Sequence, residues 1–408
     1  MNAKKIFDNP LDTYIYLERY VNSGSPSGHT ERQRTSFNTN PFTGQQEFEL
    51  LEFEDMDCET LRIGKEKLFS LGVNYAHPDS VDSEILKKSG RKLVKSGIKV
   101  SPTASSRTLL IRNGEKGGFL KLTYDKSKIG GSFRYLGYKA CLASVEVSET
   151  IKEYLERKKL PTTLAVLLET SAKVTKLNQG DSVFEWGTIY RELKPYPKLD
   201  EETQIIPAFS LLSKDINNPN DEYLINQFVK LSGQKPEEYL WNIIKIIMDA
   251  HWNLLIKCTL RPEMHCQNCM FELGKDYRIS RIIIKDMEDV DKDLYLSRYF
   301  GYNYEWKSYP HKCFEKGARE YKYRSSFMYD FKLGEYMLTP LIKVVSEKYG
   351  LSIVDIENRT KEYVRNKYLK LLPNNYFPTN GCWYYCKDTE SKPGRERDFF
   401  SDPHPKYR

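Results

Sequence analysis

No stretch of this sequence is apolar enough to cross a membrane. The best run, Trp241–Leu260, is interrupted by Lys245, Asp249, His251 and Lys257, whereas a helical span needs about 20 mostly apolar residues. The opening residues MNAKKIFDNP carry two lysines with no apolar stretch behind them, so no secretory leader is expected. Cysteine is sparse and shows no framework spacing, with eight in 408 residues. That excludes a disulfide scaffold and favours reduced thiols in a cytoplasmic protein. Dense basic runs are missing too. Lys and Arg total 63 against 56 Asp and Glu, a net charge of +7 spread along the chain. Such a balance suits small anionic ligands and speaks against a nucleic-acid partner. No internal repeat is visible. What remains is ordinary globular composition, 39% hydrophobic and 29% charged, in a chain long enough for two or three lobes.

The chain then divides by pattern. Residues 23–46 are polar and rich in Ser, Thr, Asn, Gly and Pro, the composition of a long loop. A helix is predicted from Ser83 to Lys95. Arg107–Arg112 and Phe119–Tyr124 are strand-like runs around NGEKGG, which predicts a hairpin. SVEVSETIKEYLERKK reads as a helix and Leu164–Leu168 as a buried strand. Pro236, Glu237 and Glu238 form a helix start, after which Leu240, Ile243, Ile247, Leu254 and Cys258 recur at helical spacing. Arg261-Pro262 is the predicted end of that helix. A second hairpin follows, Cys269–Leu273 and Tyr277–Ile284, and it delivers Asp286. Ser325 onward reads as mostly helical, and the polar stretch after Lys387 as a tail that packs loosely or not at all.

Two groups of residues carry chemistry. The first is Glu263-Met264-His265-Cys266-Gln267-Asn268, followed by the hairpin and Asp286. Kinase-like folds use this order, a polar loop and then an acidic strand end, to hold a metal nucleotide. Mg²⁺ is hard and takes oxygen ligands, which Glu263, Asn268 and Asp286 supply, while His265 can donate to a phosphate. A kinase acting on a hydroxyl places an Asp between the loop His and Asn as a base. Here Cys266 and Gln267 stand there instead. A carboxylate is already an anion near neutral pH and needs no such base. The alternatives are a merely structural polar loop, and zinc held by His265, Cys266 and Cys269, for which one CxxC is a weak signal.

The second group lies on the first hairpin. Ser105, Arg107 and Thr108 stand at its entry, Lys121 on its second strand and Arg134 beyond it. Phe119, Lys121 and Thr123 share one face of that strand and Leu120, Leu122 and Tyr124 the other. Converging guanidinium, ammonium and hydroxyl groups would cradle a triphosphate. Surface strands also carry such residues for solubility alone.

In this order the pieces resemble the nonribosomal-peptide-independent siderophore synthetases of the aerobactin type. The matching residues are Ser105-Ser106-Arg107-Thr108, Lys121, Arg134, the Glu263–Asn268 loop and Asp286, over roughly residues 70 to 300, with His77-Pro78 also shared. The resemblance implies an α+β, hand-like fold of fingers and palm with a kinase-like ATP cleft, antiparallel sheets and a mostly helical C-terminal region. It implies a reduced thumb-like region over 1–70, fingers over 71–200 and palm over 201–408. It implies ATP and Mg²⁺ as cofactors, adenylation of a citrate-like carboxylic acid, attack by an amine or hydroxyl, a homodimer, and a role in siderophore synthesis and iron acquisition. Ser105, Arg107, Thr108, Lys121 and Arg134 would hold phosphates. His265 would contact the α-phosphate region, with Gln267 orienting nearby, and Glu263, Asn268 and Asp286 would serve the metal. His265, Arg134 and Lys121 would be catalytic. Lys285 replaces the arginine the family favours, Lys87 and Lys88 stand off its usual basic positions, and the region before His77 is short. A small-molecule kinase and a binding protein without catalysis are the competing readings.

Overall fold

The computed structural model describes residues 3–23, 46–64, 69, 72–105, 107–112, 117–129, 132–315, 321–378, 381–385, 399–402 and 405–408. The polar segment expected as a loop over 23–46 lies almost entirely outside them. Helix α1 (Pro10–Tyr20) starts on Pro10, with the Asn9 side chain accepting from the Asp12 amide. Strands β1 (Phe48–Glu54), β2 (Thr60–Ile63) and β3 (Val73–Ala76) follow, then the short α2 (Glu84–Lys88). Strands β4 (Val94–Pro102), β5 (Thr108–Ile111) and β6 (Gly118–Leu122) precede a small hairpin, β7 (Tyr124–Ile129) with β8 (Ser132–Arg134). Helix α3 (Tyr138–Glu156) leads to β9 (Leu164–Val166) and the long pair β10 (Glu169–Gln179) and β11 (Ser182–Glu192).

Eight of these strands form one antiparallel sheet in the order β2-β10-β11-β6-β5-β4-β1-β3. The predicted hairpin is there, with Thr108 opposite Lys121. The helix predicted over 83–95 is shorter. Gly90 takes a left-handed turn at φ 68°, and Val94 onward pairs with β1 instead. Helix α3 packs on the sheet through Cys141 against Ala172, Val174 and Ile189. A Cβ on Gly187 would stand 2.4 Å from the Leu136 carbonyl and 2.8 Å from Cys141 Sγ, so this close approach requires glycine.

The second half of the chain adds β12 (Gln204–Pro207), α4 (Ala208–Leu211), α5 (Leu224–Ser232) and α6 (Pro236–Cys258). Strands β13 (Leu260–Arg261), β14 (Cys269–Leu273), β15 (Ile279–Ile284) and β16 (Asp291–Asp293) follow, then α7 (Leu294–Tyr299) and β17 (Cys313–Phe314). A second sheet runs β12-β14-β15-β9, antiparallel except where β9 joins β15 in parallel. Helix α6 fills the main core, and its predicted apolar positions are all buried. It stops at Cys258, with Thr259 left-handed, rather than at Arg261-Pro262. Arg261 is needed elsewhere. Buried in β13, it donates to Ser325 Oγ at 2.6 Å and lies 3.5 Å from Asp293.

The remainder is mostly helical: α8 (Tyr321–Ser326), a wide i→i+5 helix over Phe327–Leu338, α9 (Thr339–Tyr349) and α10 (Ile353–Lys367), then the pair β18 (Cys382–Tyr385) and β19 (Phe399–Asp402). The expectation of a loose tail fails at its end. Tyr407 is buried and Arg408 donates to Asp330 at 2.8 and 2.9 Å. Residues 386–398 lie outside the described part. Among the described residues all seven cysteines are free thiols, and no helix is long and apolar enough to cross a membrane.

His251 of α6 is buried against Trp252 and Tyr329, with ring centroids at 5.6 and 5.2 Å. Its Nδ1 has no hydrogen-bond partner among the described residues. Burial, with Arg261 adding to it, holds its pKa down at about 3. The unfolded chain therefore takes up a proton near pH 6.5 that the folded one refuses. Folding stability should fall as pH drops from about 6.5 toward 3, with a slope approaching about 1.4 kcal/mol per pH unit. Unfolding measured across that window should lose this component in His251→Gln.

Candidate active site

The site lies where the two sheets meet. Strand β6 alternates, so Leu120 and Leu122 pack with Leu50, Val100 and Leu109. Phe119, on the other face, joins Tyr14 and Leu110 with Ala165, Met270 and Ile283 of the second sheet. Lys121 shares the Phe119 face and is 2% exposed. Arg107 and Thr108 are buried as well. A solvated surface strand is thereby excluded as the reason for these residues.

Asp286 follows β15 in a left-handed conformation, φ 72°, which costs roughly 1 kcal/mol but is tolerated by Asp better than by most residues. The turn is held by Glu169 Oε2, which accepts from the Met287 amide at 3.1 Å. Glu169 Oε1 accepts from Arg191 Nε at 2.9 Å, and Arg191 reaches Asp286 Oδ1 at 3.3 Å. Lys121 Nζ donates to Asp286 Oδ1 and lies 2.8 Å from Glu288 Oε2. Arg107 donates to the same Glu288 oxygen at 3.0 Å. Three cations thus face three carboxylates, Glu169, Asp286 and Glu288.

Burial alone would raise these acids. At Asp286, Lys121, Arg191 and Arg107 overcome burial and hold the carboxyl well below the usual range. At Glu288, Lys121 and Arg107 hold it down at about 2 despite burial and the nearby Asp286. Burial would likewise lower Lys121, but Asp286 and Glu288 push it up and keep it charged.

The loop before β14 forms a second group. Glu263 Oε1 pairs with Lys332 of the wide helix at 2.8 Å. Its Oε2 lies 3.5 Å from His265 Nε2 and accepts from Asn268 Nδ2 at 3.4 Å. His265 Nδ1 accepts from the Gln267 amide at 3.2 Å. Burial would raise Glu263, yet Lys332 and His265 bring it well below its ordinary value. Hairpin register joins the two groups. Cys269 opposes Ile284, so the Asn268 backbone carbonyl accepts from the Lys285 amide at 3.1 Å, one residue before Asp286.

The sequence-predicted residues are therefore gathered in two adjoining sets. Arg107, Thr108, Lys121 and Asp286 are one, with Arg134 beside it, since Arg107 donates to the Arg134 carbonyl at 3.5 Å. Ser105 lies half-buried just before them. Glu263, His265, Gln267 and Asn268 are the other. Among the described residues, the acidic and thiol or imidazole groups close enough to share a cation are Asp286, Glu288 and Asp289, whose ligand oxygens lie within 4.8 Å of one another. Glu263 is not among them, nor are Cys266 and Cys269, which are buried in apolar core.

Sequence reasoning missed Glu288, Asp289, Glu169, Arg191 and Lys332. Glu288 and Asp289 had a signal, the acidic density of DMEDVDKD just after the hairpin. Lys332 and Arg191 each interrupt an apolar run, which is a weaker one. The donor set suits a magnesium nucleotide: three hard carboxylates for the ion, clustered cations for phosphate oxygens, and a buried Arg134 Nε with no acceptor among the described residues.

No family model and no curated protein matches the chain. Solved structures do. The petrobactin biosynthesis protein AsbB from Bacillus anthracis str. Sterne matches at TM-score 0.67 and 16% identity, over 88% of this chain and 68% of that one. The aerobactin synthetase IucC from a hypervirulent pathotype of Klebsiella pneumoniae matches at 0.62 and 15%, over 90% and 72%. ATP-bound aerobactin synthetase IucA from the same source matches at 0.67 and 13%, over 98% and 80%. The mixed α/β architecture with antiparallel sheets and a helical C-terminal region is thus the fold of siderophore synthetases.

Glu169 tests how far the charged cluster supports this fold. Glu169→Gln leaves Arg191 buried beside an imperfect partner and weakens the Asp286 turn. Stability should drop by about 3 kcal/mol, the usual cost of breaking a buried pair, seen as a lower thermal midpoint with native far-UV circular dichroism retained at 20 °C.

Proposed function

We propose that this chain is an ATP- and Mg²⁺-dependent synthetase of the aerobactin type, which adenylates a carboxylic acid and condenses it with an amine or hydroxyl. Its two sheets would form fingers and palm around the nucleotide. The observation that carries this reading is the meeting of Arg107 and Lys121 with Asp286, Glu288 and Asp289, in a fold shared with an ATP-bound synthetase. Asp286, Glu288 and Asp289 would hold the metal, and Asn268 would stand beside it. Bound magnesium would neutralise phosphate charge and orient the phosphates.

The chain's own residues would then act as follows. Arg107, Lys121 and Arg134 bind phosphate oxygens and offset the charge that grows on departing pyrophosphate. Ser105 and Thr108 add hydroxyl donors. His265, whose Nδ1 already accepts from the Gln267 amide and whose Nε2 lies 3.5 Å from Glu263 Oε2, would contact the α-phosphate region. No carboxylate base stands between His265 and Asn268, because Cys266 is an apolar-packed thiol and Gln267 is neutral. That suits a nucleophile that arrives already ionised.

Exchange of labelled pyrophosphate into ATP, screened over a panel of di- and tricarboxylic acids, should reveal at least one acid that supports exchange, with AMP as the spent nucleotide. Release of ADP with a phosphorylated product would replace this reading with a kinase. Asp286→Asn should lower exchange by roughly 100-fold or more while its circular dichroism stays native. An unchanged rate would remove Asp286 from the site.

A further inference from the structure

The wide helix over Phe327–Leu338 is unusual for its length. Helices of this i→i+5 type are rare and mostly single-turn bulges, and they recur at functional sites. This one runs for 12 residues. It touches the Glu263 loop at three points. Lys332 pairs with Glu263, the Tyr336 carbonyl accepts from the Cys266 amide at 3.3 Å, and Met337 Sδ lies 3.8 Å from Cys266 Sγ.

So long a helix of a rare type calls for outside support, and residues 406–408 lie along it. Lys406 donates to Glu335 at 2.7 Å. The Tyr407 ring lies against Gly334, where a Cβ would come within 3.2 Å of it. The Tyr407 carbonyl accepts from Tyr329 OH at 2.8 Å, and its hydroxyl is 2.9 Å from Thr339 Oγ1. Arg408 Nε donates to both Asp330 oxygens, and Arg408 NH2 donates to the Gly381 carbonyl at 3.0 Å. The contacts span the helix from Tyr329 to Thr339, and Lys332 lies within that span.

We propose that Lys406, Tyr407 and Arg408 form a clasp that holds this helix in its wide-turned form and so positions the Glu263 loop, which makes Arg408 a positioning residue for the candidate site. Without the clasp the helix relaxes toward ordinary i→i+4 bonding. Each turn then holds fewer residues, and Lys332 and Tyr336 rotate away from the loop they anchor. Only the loop's part in catalysis rests on the proposed function; the clasp rests on geometry.

Cys266 reports on this without any need for activity. Native-state labelling with N-ethylmaleimide, read by peptide mass spectrometry, compares Cys266 with Cys141 and Cys258, which are buried elsewhere. Arg408→Gln should label Cys266 about tenfold faster or more, the scale of a lost charged hydrogen-bond pair, and leave Cys141 and Cys258 unchanged. Arg408→Lys, which keeps a charge for Asp330, should fall between that variant and the wild type. Unchanged Cys266 labelling overturns the clasp, and so does equal acceleration at all three thiols, which marks general loss of stability. If Cys266 alone responds while wild-type protein exchanges pyrophosphate with no acid, the clasp stands and the proposed reaction falls. If both hold, Arg408→Gln should lower kcat for exchange more than it raises KM for ATP.

Discussion

Six charges enclosed between two sheets constrain the rest of this structure. Arg107, Lys121 and Arg191 come from the large sheet and its approach, as does Glu169, while Asp286 and Glu288 come from the turn after the second sheet. Each charge buried alone would cost several kcal/mol. Together they are tolerable only when both sheets are in place and in register. The cluster therefore ties the position of one sheet to the other, and the apolar layer of Tyr14, Phe119, Met270 and Ile283 closes around it.

The same cluster explains why these residues suit phosphate and metal chemistry. Their charges balance in the structure described here, so no large uncompensated field is buried. In the proposed reaction Arg107 and Lys121 exchange carboxylate partners for phosphate oxygens of similar geometry. Such an exchange needs little movement, and the left-handed Asp286, fixed through Met287 and Glu169, keeps the carboxylates where they are. Preorganised groups of this sort stabilise developing charge without reorganising when the reaction occurs.

The Glu263 loop depends on a different support. Its carboxylate is held by Lys332, its backbone by Tyr336 and its thiol by Met337, all from one wide helix. The two halves of the candidate site are thus braced separately, one by buried ion pairs and the other by a helix that needs outside contacts to keep its shape. The β14–β15 hairpin joins them through its register, and Lys312, paired with Asp289 at 3.1 Å, also feels Glu263.

Local chemistry made much of this legible from sequence. The helix from Pro236 carried its own start signal and a clean apolar period, and both hairpins showed turn residues between strand-like runs. Loop-hairpin-Asp order placed Asn268 near Asp286, because antiparallel pairing of adjacent strands leaves little other choice. Where local signals were overridden, partners distant in sequence were responsible. The helix predicted over 83–95 gave way to pairing with β1, Arg261 left α6 for Asp293, and Arg408 found Asp330 across the fold. Burial of Lys121 was equally invisible, since alternation shows which face a side chain takes and not what covers that face. Glu169 and Arg191 sit beside Asp286 only because two sheets meet there, and the contacts of the wide helix with residues 406–408 join segments about 70 residues apart in sequence. Residue type and spacing determined the chemistry this chain can offer. Long-range packing decided which of those groups meet, because the energy of a buried charge depends on neighbours that the local sequence does not contain.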